Sequence, residues 1–161
     1  LNVTIPVSTE SSKERLRLWL RVLKATRAVE SEVREKLRLE FATTLPRFDV
    51  MAALTQHKNG LKMSQLSTVL KVSNGNVTGI VERLVEDDFV IREKVPGDRR
   101  ASLVKMTEKG LAEFTTQAAA HEIWIDEIFA DVAGEDAVQI ADALDAVARK
   151  VDKKGNSDDQ H

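Results

Sequence analysis

From Ser12 to Phe41 the chain runs for thirty residues without a Gly or a Pro, and its apolar positions recur at helical rather than strand spacing. Leu16, Trp19, Leu20 and Leu23 form one stripe, and Val22, Ala25, Val29, Val33 and Leu37 continue a second at i, i+3, i+4 intervals. A surface helix needs only one such stripe. Two predict a long helix that packs on its own domain and on another subunit as well.

The whole chain of 161 residues is one domain's worth of protein with a small extension. Charged residues reach 31%, against only seven Gly and three Pro, a balance that suits long helices and argues against a turn-rich sandwich or barrel. The absence of Cys excludes disulfides, thiolate metal sites and Cys nucleophiles. Leu1 to Ser12 lacks a basic leader, and no apolar run approaches the ~20 residues of a membrane span, so the expectation is a cytoplasmic protein without a membrane partner.

Net charge is −2, but it is unevenly spread. Residues 1–61 hold eleven basic and seven acidic side chains, residues 62–106 eight and six, and residues 107–161 five and thirteen. The first two thirds are basic and the remainder acidic, so a phosphate-bearing partner would meet the first part.

After the long helix, Pro46 sits where the first turn of a second helix tolerates it, and that helix runs to about His57. Lys58-Asn59-Gly60 has turn composition, Met63 to Leu70 reads as a short helix, and Ser73 as the N-cap of a helix to about Asp87. The pair makes a helix-turn-helix. The period then changes: Phe89–Val95 and Ala101–Met106 read as strands flanking Pro96-Gly97-Asp98-Arg99-Arg100, a hairpin with a basic tip. Thr107 caps a helix from Glu108 to about Ala130, and a last helix, Glu135 to Val151, carries Val138, Ala141, Leu144, Ala148 and Val151 on one side.

In the helix after Ser73, Val77, Ile80, Val81 and Leu84 share a buried face. Ser73, Asn74, Gly75, Asn76, Thr78, Gly79 and Arg83 fall on the other side or its edges. Asn suits base edges because its amide can bond adenine N6 and N7 together. Gly75 and Gly79 each cost a helix about 1 kcal/mol relative to Ala, which suggests close approach to a phosphate backbone or groove floor. The plainer reading of the same residues is a helix start with ordinary capping polars. At the hairpin, Arg99 and Arg100 suit the enhanced negative potential of a narrow minor groove, with Asp98 positioned to hold the Arg100 guanidinium. Its plainer reading is a solvated turn.

The order of elements resembles a MarR-family winged-helix regulator. The matching residues are Leu45-Pro46-Arg47-Phe48-Asp49-Val50-Met51, Leu66, Val77-Thr78, Glu82-Arg83-Leu84, Asp98-Arg99-Arg100 and Met106-Thr107-Glu108-Lys109-Gly110. Lys62 departs from the family's frequent Thr cap, which weakens the start of the first motif helix and adds a possible phosphate contact.

The resemblance implies a mainly α fold with a small β-hairpin wing. A helical dimerisation region would comprise residues 12–41 and 107–151, a winged helix-turn-helix lobe residues 42–106, and a disordered polar tail residues 152–161. It implies a homodimer on a palindromic operator in double-stranded DNA, with Ser73, Asn74, Gly75, Asn76, Thr78, Arg83, Arg99 and Arg100 as DNA-contacting residues and Asp98 as wing support. Competing readings are a ligand-independent DNA-binding protein and a protein-interaction winged-helix module.

Lys13, Arg17, Arg21, Lys24 and Arg27 fall within about a third of the helical circle. The stripe is either a solvated or DNA-supporting face, or an anion site for a small-molecule effector. Ser73-Asn74-Gly75-Asn76-Val77-Thr78-Gly79 followed by Pro96-Gly97-Asp98-Arg99-Arg100-Ala101 also resembles family members that control aromatic-acid breakdown, and that resemblance implies an aromatic acid or its coenzyme A thioester as the effector. Trp19, Phe41 and Phe48 are candidate pocket walls, though such residues at helical spacing usually pack a core. His57, His121 and His161 are too scattered for a metal site, and neither a phosphate loop nor a nucleophile elbow appears, so no catalytic role, metal or cofactor is expected.

Overall fold

The computed structural model describes residues 9–158, apart from the side chains of Asn74 and residues 154–158. The elements run α1 (Glu10–Phe41), α2 (Leu45–Thr55), β1 (Leu61–Lys62), α3 (Met63–Leu70), α4 (Asn74–Glu86), β2 (Val90–Val95), β3 (Asp98–Met106), α5 (Glu108–Ile128) and α6 (Gly134–Asp158). The fold is mainly helical with a small antiparallel sheet, ordered β1-β3-β2. No described helix is long and apolar enough to cross a membrane.

Helix boundaries follow capping chemistry. The Thr9 hydroxyl accepts from the Ser12 N–H at the start of α1, which ends where Ala42 turns left-handed at φ 49°. The Thr44 hydroxyl accepts from the Arg47 N–H, and Pro46 lies in the first turn of α2, where no intrahelical N–H bond is lost. Sequence patterning missed β1, because a two-residue strand has no measurable period. It exists through pairing, with Leu61 opposite Val104 and Lys62 opposite Leu103.

The core of the lobe gathers Val50, Met51 and Leu54 of α2, Leu61, Leu66, Val77, Val81 and Leu84 from β1, α3 and α4, and Val90 and Val104 of the sheet. Each element has too little apolar surface to hold itself, and each contributes one face. Gly110, in the first turn of α5, lies so close to the start of β2 that an added Cβ would sit 2.0 Å from the Phe89 carbonyl oxygen.

The α1 stripes are covered in part within one chain, and two other expectations need correction. Only Val33 and Leu37 of the two α1 stripes are buried in this chain, while Leu16, Trp19 and Leu20 are each at least 55% exposed. The stripes are real in the sequence, but one copy of the chain does not cover them. The wing's basic residues are not at its tip. Pro96 and Gly97, with φ 80° at Gly97, make the turn, and Asp98, Arg99 and Arg100 already belong to β3 because Val95 pairs with Asp98 across a bulge. Finally, α6 continues to Asp158 through most of the supposed tail 152–161, since neither Gly nor Pro occurs from Glu135 to Lys154 and the one Gly155 costs a helix only about 1 kcal/mol; residues 159–161 lie outside the described residues.

The chain divides into two compact units, Leu1–Glu122 and Ile123–His161. The first contains the lobe and α1. The second holds the end of α5 and α6, with Trp124 buried and Val138, Ile140, Leu144, Val147 and Val151 exposed.

Candidate nucleic-acid interface

Helix α3 ends where Lys71 turns left-handed at φ 53°, and the Ser73 hydroxyl then accepts from the Asn76 N–H to start α4. That tight link sets α4 with Val77, Val81 and Leu84 fully inward. Gly75, Asn76, Gly79 and Arg83 are left exposed and Thr78 half-buried. A Cβ added at Gly75 or Gly79 would meet no protein atom within 4 Å, so nothing inside the chain requires glycine there. The Asn74 side chain lies outside those described.

The start of α3 is firmer than the missing Thr cap implies. Gln65, one turn in, accepts from the Lys62 N–H at 2.8 Å, satisfying one of the helix's orphan donors. This leaves the exposed Lys62 ammonium projecting from the helix start without a capping duty.

Between α3, α4 and the wing lies an open concavity of about 400 Å³, lined by Lys62, Ser64, Thr78, Arg92, Arg100 and Ser102 among others. Three cations from three strands therefore converge beside the outward edge of α4. Arg92 is steadied by donating to the Ser102 hydroxyl at 3.0 Å. Asp98 also lines the concavity, but it holds Arg100 through the backbone, accepting from the Arg100 N–H at 3.0 Å. An Asp98 ion pair with the Arg100 guanidinium is not found among the described residues.

Arg99 and Arg100 do not act as a pair. Of the two, only Arg100 lines the concavity. Arg83, in the last turn of α4, also stands away from it. Arg92 was missed by sequence reasoning. Its place depends on the β2–β3 register, which sets Arg92 opposite Val104, and the only available signal was period-2 alignment with the inward Val90.

The candidate ligand residues are scattered. Arg17 is tied to Glu14 and Glu10, while Lys13, Arg21, Lys24 and Arg27 are exposed. Phe48 is buried, its ring 5.3 Å from that of Phe114 and 5.0 Å from that of His121. Phe41 lines a different, polar cavity at the end of α1. At ~1.5 Å per residue, Trp19 and Phe41 stand roughly 33 Å apart along one helix, so a single chain does not bring them to one pocket.

Residues 43–102 match the model of the MarR family. The chain is similar to a MarR family transcriptional regulator of Silicibacter pomeroyi of known structure, at 31% identity and TM-score 0.75, covering 89% of this chain and 99% of that one. It is also similar to the HTH-type transcriptional regulator MhqR of Bacillus subtilis (strain 168), 23% identical over 84% of this chain and 92% of that protein. It shares its fold, at 19% identity and TM-score 0.77, with the MarR family regulator Sco3205 of Streptomyces coelicolor, solved in complex with DNA, over 91% and 92% of the two chains. With its helix-turn-helix, its three-stranded wing and a relative of this identity matched almost end to end, the chain belongs to the MarR family of winged-helix, DNA-binding transcriptional regulators.

Proposed function

We propose that the chain works as a homodimer that represses transcription from a palindromic operator and is released by a small aromatic acid or its coenzyme A thioester. The observation that carries the DNA part is the convergence of Lys62, Arg92 and Arg100 beside Thr78 in one open concavity. Lys62 at the start of α3 and Arg92 of the wing meet phosphates, while Ser73 at the helix cap and Asn76 and Thr78 on α4 face base edges in the major groove and Arg100 enters the minor groove. The empty space around Gly75 and Gly79 suits close approach of α4 to the duplex.

The dimer accounts for apolar surface that one copy leaves in water. Leu16, Leu18, Trp19 and Leu20 of α1 and Val138, Val147 and Val151 of α6 are each more than half exposed. Monomers rarely leave so much apolar side chain uncovered. A twofold pair would present two lobes to half-sites ~10 bp apart.

For the effector, the stripe from Lys13 to Arg27 extends roughly 21 Å at ~1.5 Å per residue. That length suits the spaced phosphates of coenzyme A better than a lone carboxylate. Release requires the effector to bind the DNA-incompatible spacing of the lobes more tightly than the compatible one, since equal affinity shifts nothing.

Mobility-shift titration at two salt concentrations, on sites from a random-sequence selection, tests the reading. Affinity should fall steeply with salt, and Arg100→Ala should weaken binding by about 1–3 kcal/mol while leaving the fold intact. Salt-independent binding, or an unchanged affinity in the variant, would contradict it.

A further inference from the structure

The outward side of α4 changes character along its length. From Asn74 to Val81 the sequence holds neither Lys nor Arg. Among the described side chains of these two turns, Asn76 is exposed and Thr78 half-buried, while Gly75 and Gly79 bring bare backbone to the surface. Farther on, Glu82, Arg83 and Glu86 are all exposed, and the two carboxylates oppose entry of this half into a groove walled by phosphates. Base contact is thereby confined to the first two turns, the part of a recognition helix that meets base edges.

In the major groove guanine is read chiefly by Arg or Lys, which donate to its O6 and N7, whereas Asn both donates and accepts and so matches adenine N7 and N6. Threonine adds a methyl that packs on the thymine C5 methyl. Resting on the DNA-binding function proposed for the chain, we propose that Asn76 and Thr78 make A·T pairs, rather than a guanine, the base-specific element of each half-site, and that Arg100 extends the same preference into the adjoining minor groove. There A·T pairs present only acceptors to a guanidinium, while a G·C pair adds the guanine N2 amino donor, and A-tracts narrow the groove that attracts Arg.

The cations near α4 are committed elsewhere. Lys62, Arg92 and Arg100 gather in the concavity, where Arg92 is held by its bond to the Ser102 hydroxyl. Arg83 stands about 10 Å farther along the helix than Asn76, between Glu82 and Glu86. Because Thr78 and Arg100 line one concavity, the A·T pairs under α4 and those under the wing adjoin in each half-site.

The test is a random-sequence duplex selection with the full chain, followed by fluorescence anisotropy on the selected half-site. Exchanging the A·T pair under Asn76 for G·C should weaken binding by about 5–150-fold. Replacing its adenine by 7-deazaadenine, which lacks the N7 acceptor, should weaken binding by the parent and not by Asn76→Ala. That variant keeps the fold, since the side chain is exposed and the bond to the Ser73 hydroxyl comes from the backbone N–H. Replacing thymine by uracil should weaken the parent and not Thr78→Ser, which has no methyl. Under the wing, inosine·cytosine keeps the minor-groove pattern of A·T and should be tolerated where G·C is not. Half-sites anchored on a guanine whose contact is lost in Arg83→Ala or Lys71→Ala overturn the proposal and leave DNA binding standing. So does unchanged affinity with 7-deazaadenine at every selected adenine. Enrichment of no sequence overturns DNA binding and the proposal together.

Discussion

Two glycine-to-alanine changes in neighbouring helices should shift stability in opposite directions. At Gly110 the new Cβ would lie 2.0 Å from the Phe89 carbonyl oxygen and 2.8 Å from its carbon, about 1.4 Å inside the 3.4 Å at which ordinary contact begins. Both partners are backbone, so no side chain can swing aside. The first turn of α5 must lift from β2, and its cap is built on the same contact. Thr107 Oγ1 accepts from the Gly110 N–H at 2.9 Å and donates to the Asp88 carbonyl at 2.7 Å, while the Thr107 N–H reaches the Phe89 carbonyl at 3.0 Å. Loss of the cap costs about 1 kcal/mol and overpacking about 1–3 kcal/mol, against a gain of about 1 kcal/mol from Ala over Gly in a helix. Gly110→Ala should therefore destabilise by about 1–3 kcal/mol. At Gly79 the added methyl meets nothing within 4 Å, so only the propensity gain of up to about 1 kcal/mol applies. Urea unfolding of both variants, with the midpoint and slope fitted separately, reads the signs directly. A Gly110→Ala chain as stable as the parent would show that the close approach of α5 to β2 is not a constraint. In operator binding the order should reverse for Gly79→Ala, which gains stability and loses affinity if α4 lies close against DNA.

Partial burial holds the Asp49 carboxyl above its ordinary value of 3.8, with the Glu30 carboxylate adding to the shift and His121 and Arg34 opposing it. A raised carboxyl favours the fold while protonated, a benefit fully present below 3.8 and lost as pH rises through the shifted value. Relative to Asp49→Asn, the parent should lose stability as pH rises from acid towards neutrality, and parallel pH profiles would remove this role. Val147→Asp alters a side chain that is 62% exposed in the single chain, so it should leave the helical content intact and shift sedimentation towards monomer; an unchanged oligomer places the interface elsewhere. Reversing charge at both Arg17 and Arg21 should abolish operator release by an aryl-coenzyme A thioester and spare release by the free acid, as measured by fluorescence anisotropy of labelled operator. A thioester response that survives both changes assigns no role to the stripe.

Much of the architecture is local and was therefore open to inspection in the sequence. The limits of α3 and α4 follow from helical period, from Ser73 as a cap and from the turn chemistry between them, all interactions within a few residues. Thr107 and Gly110 announce the start of α5 for the same reason. Whatever depends on register or on distant partners was not legible. Two residues of β1 carry no period of their own, and Arg92 joins Lys62 and Arg100 only because β3 folds back between β1 and β2. Of the adjacent Arg99 and Arg100 only Arg100 lines the concavity, a distinction invisible in a run of adjacent cations. Gln117 looks like any polar residue on a helix in the sequence, yet packing buries it to 2% exposure and leaves its carbonyl oxygen without a hydrogen-bond partner. Periodicity and capping act over one or two turns and are written in the order of residues; the meeting of side chains from separate elements is decided by packing, which that order constrains without stating.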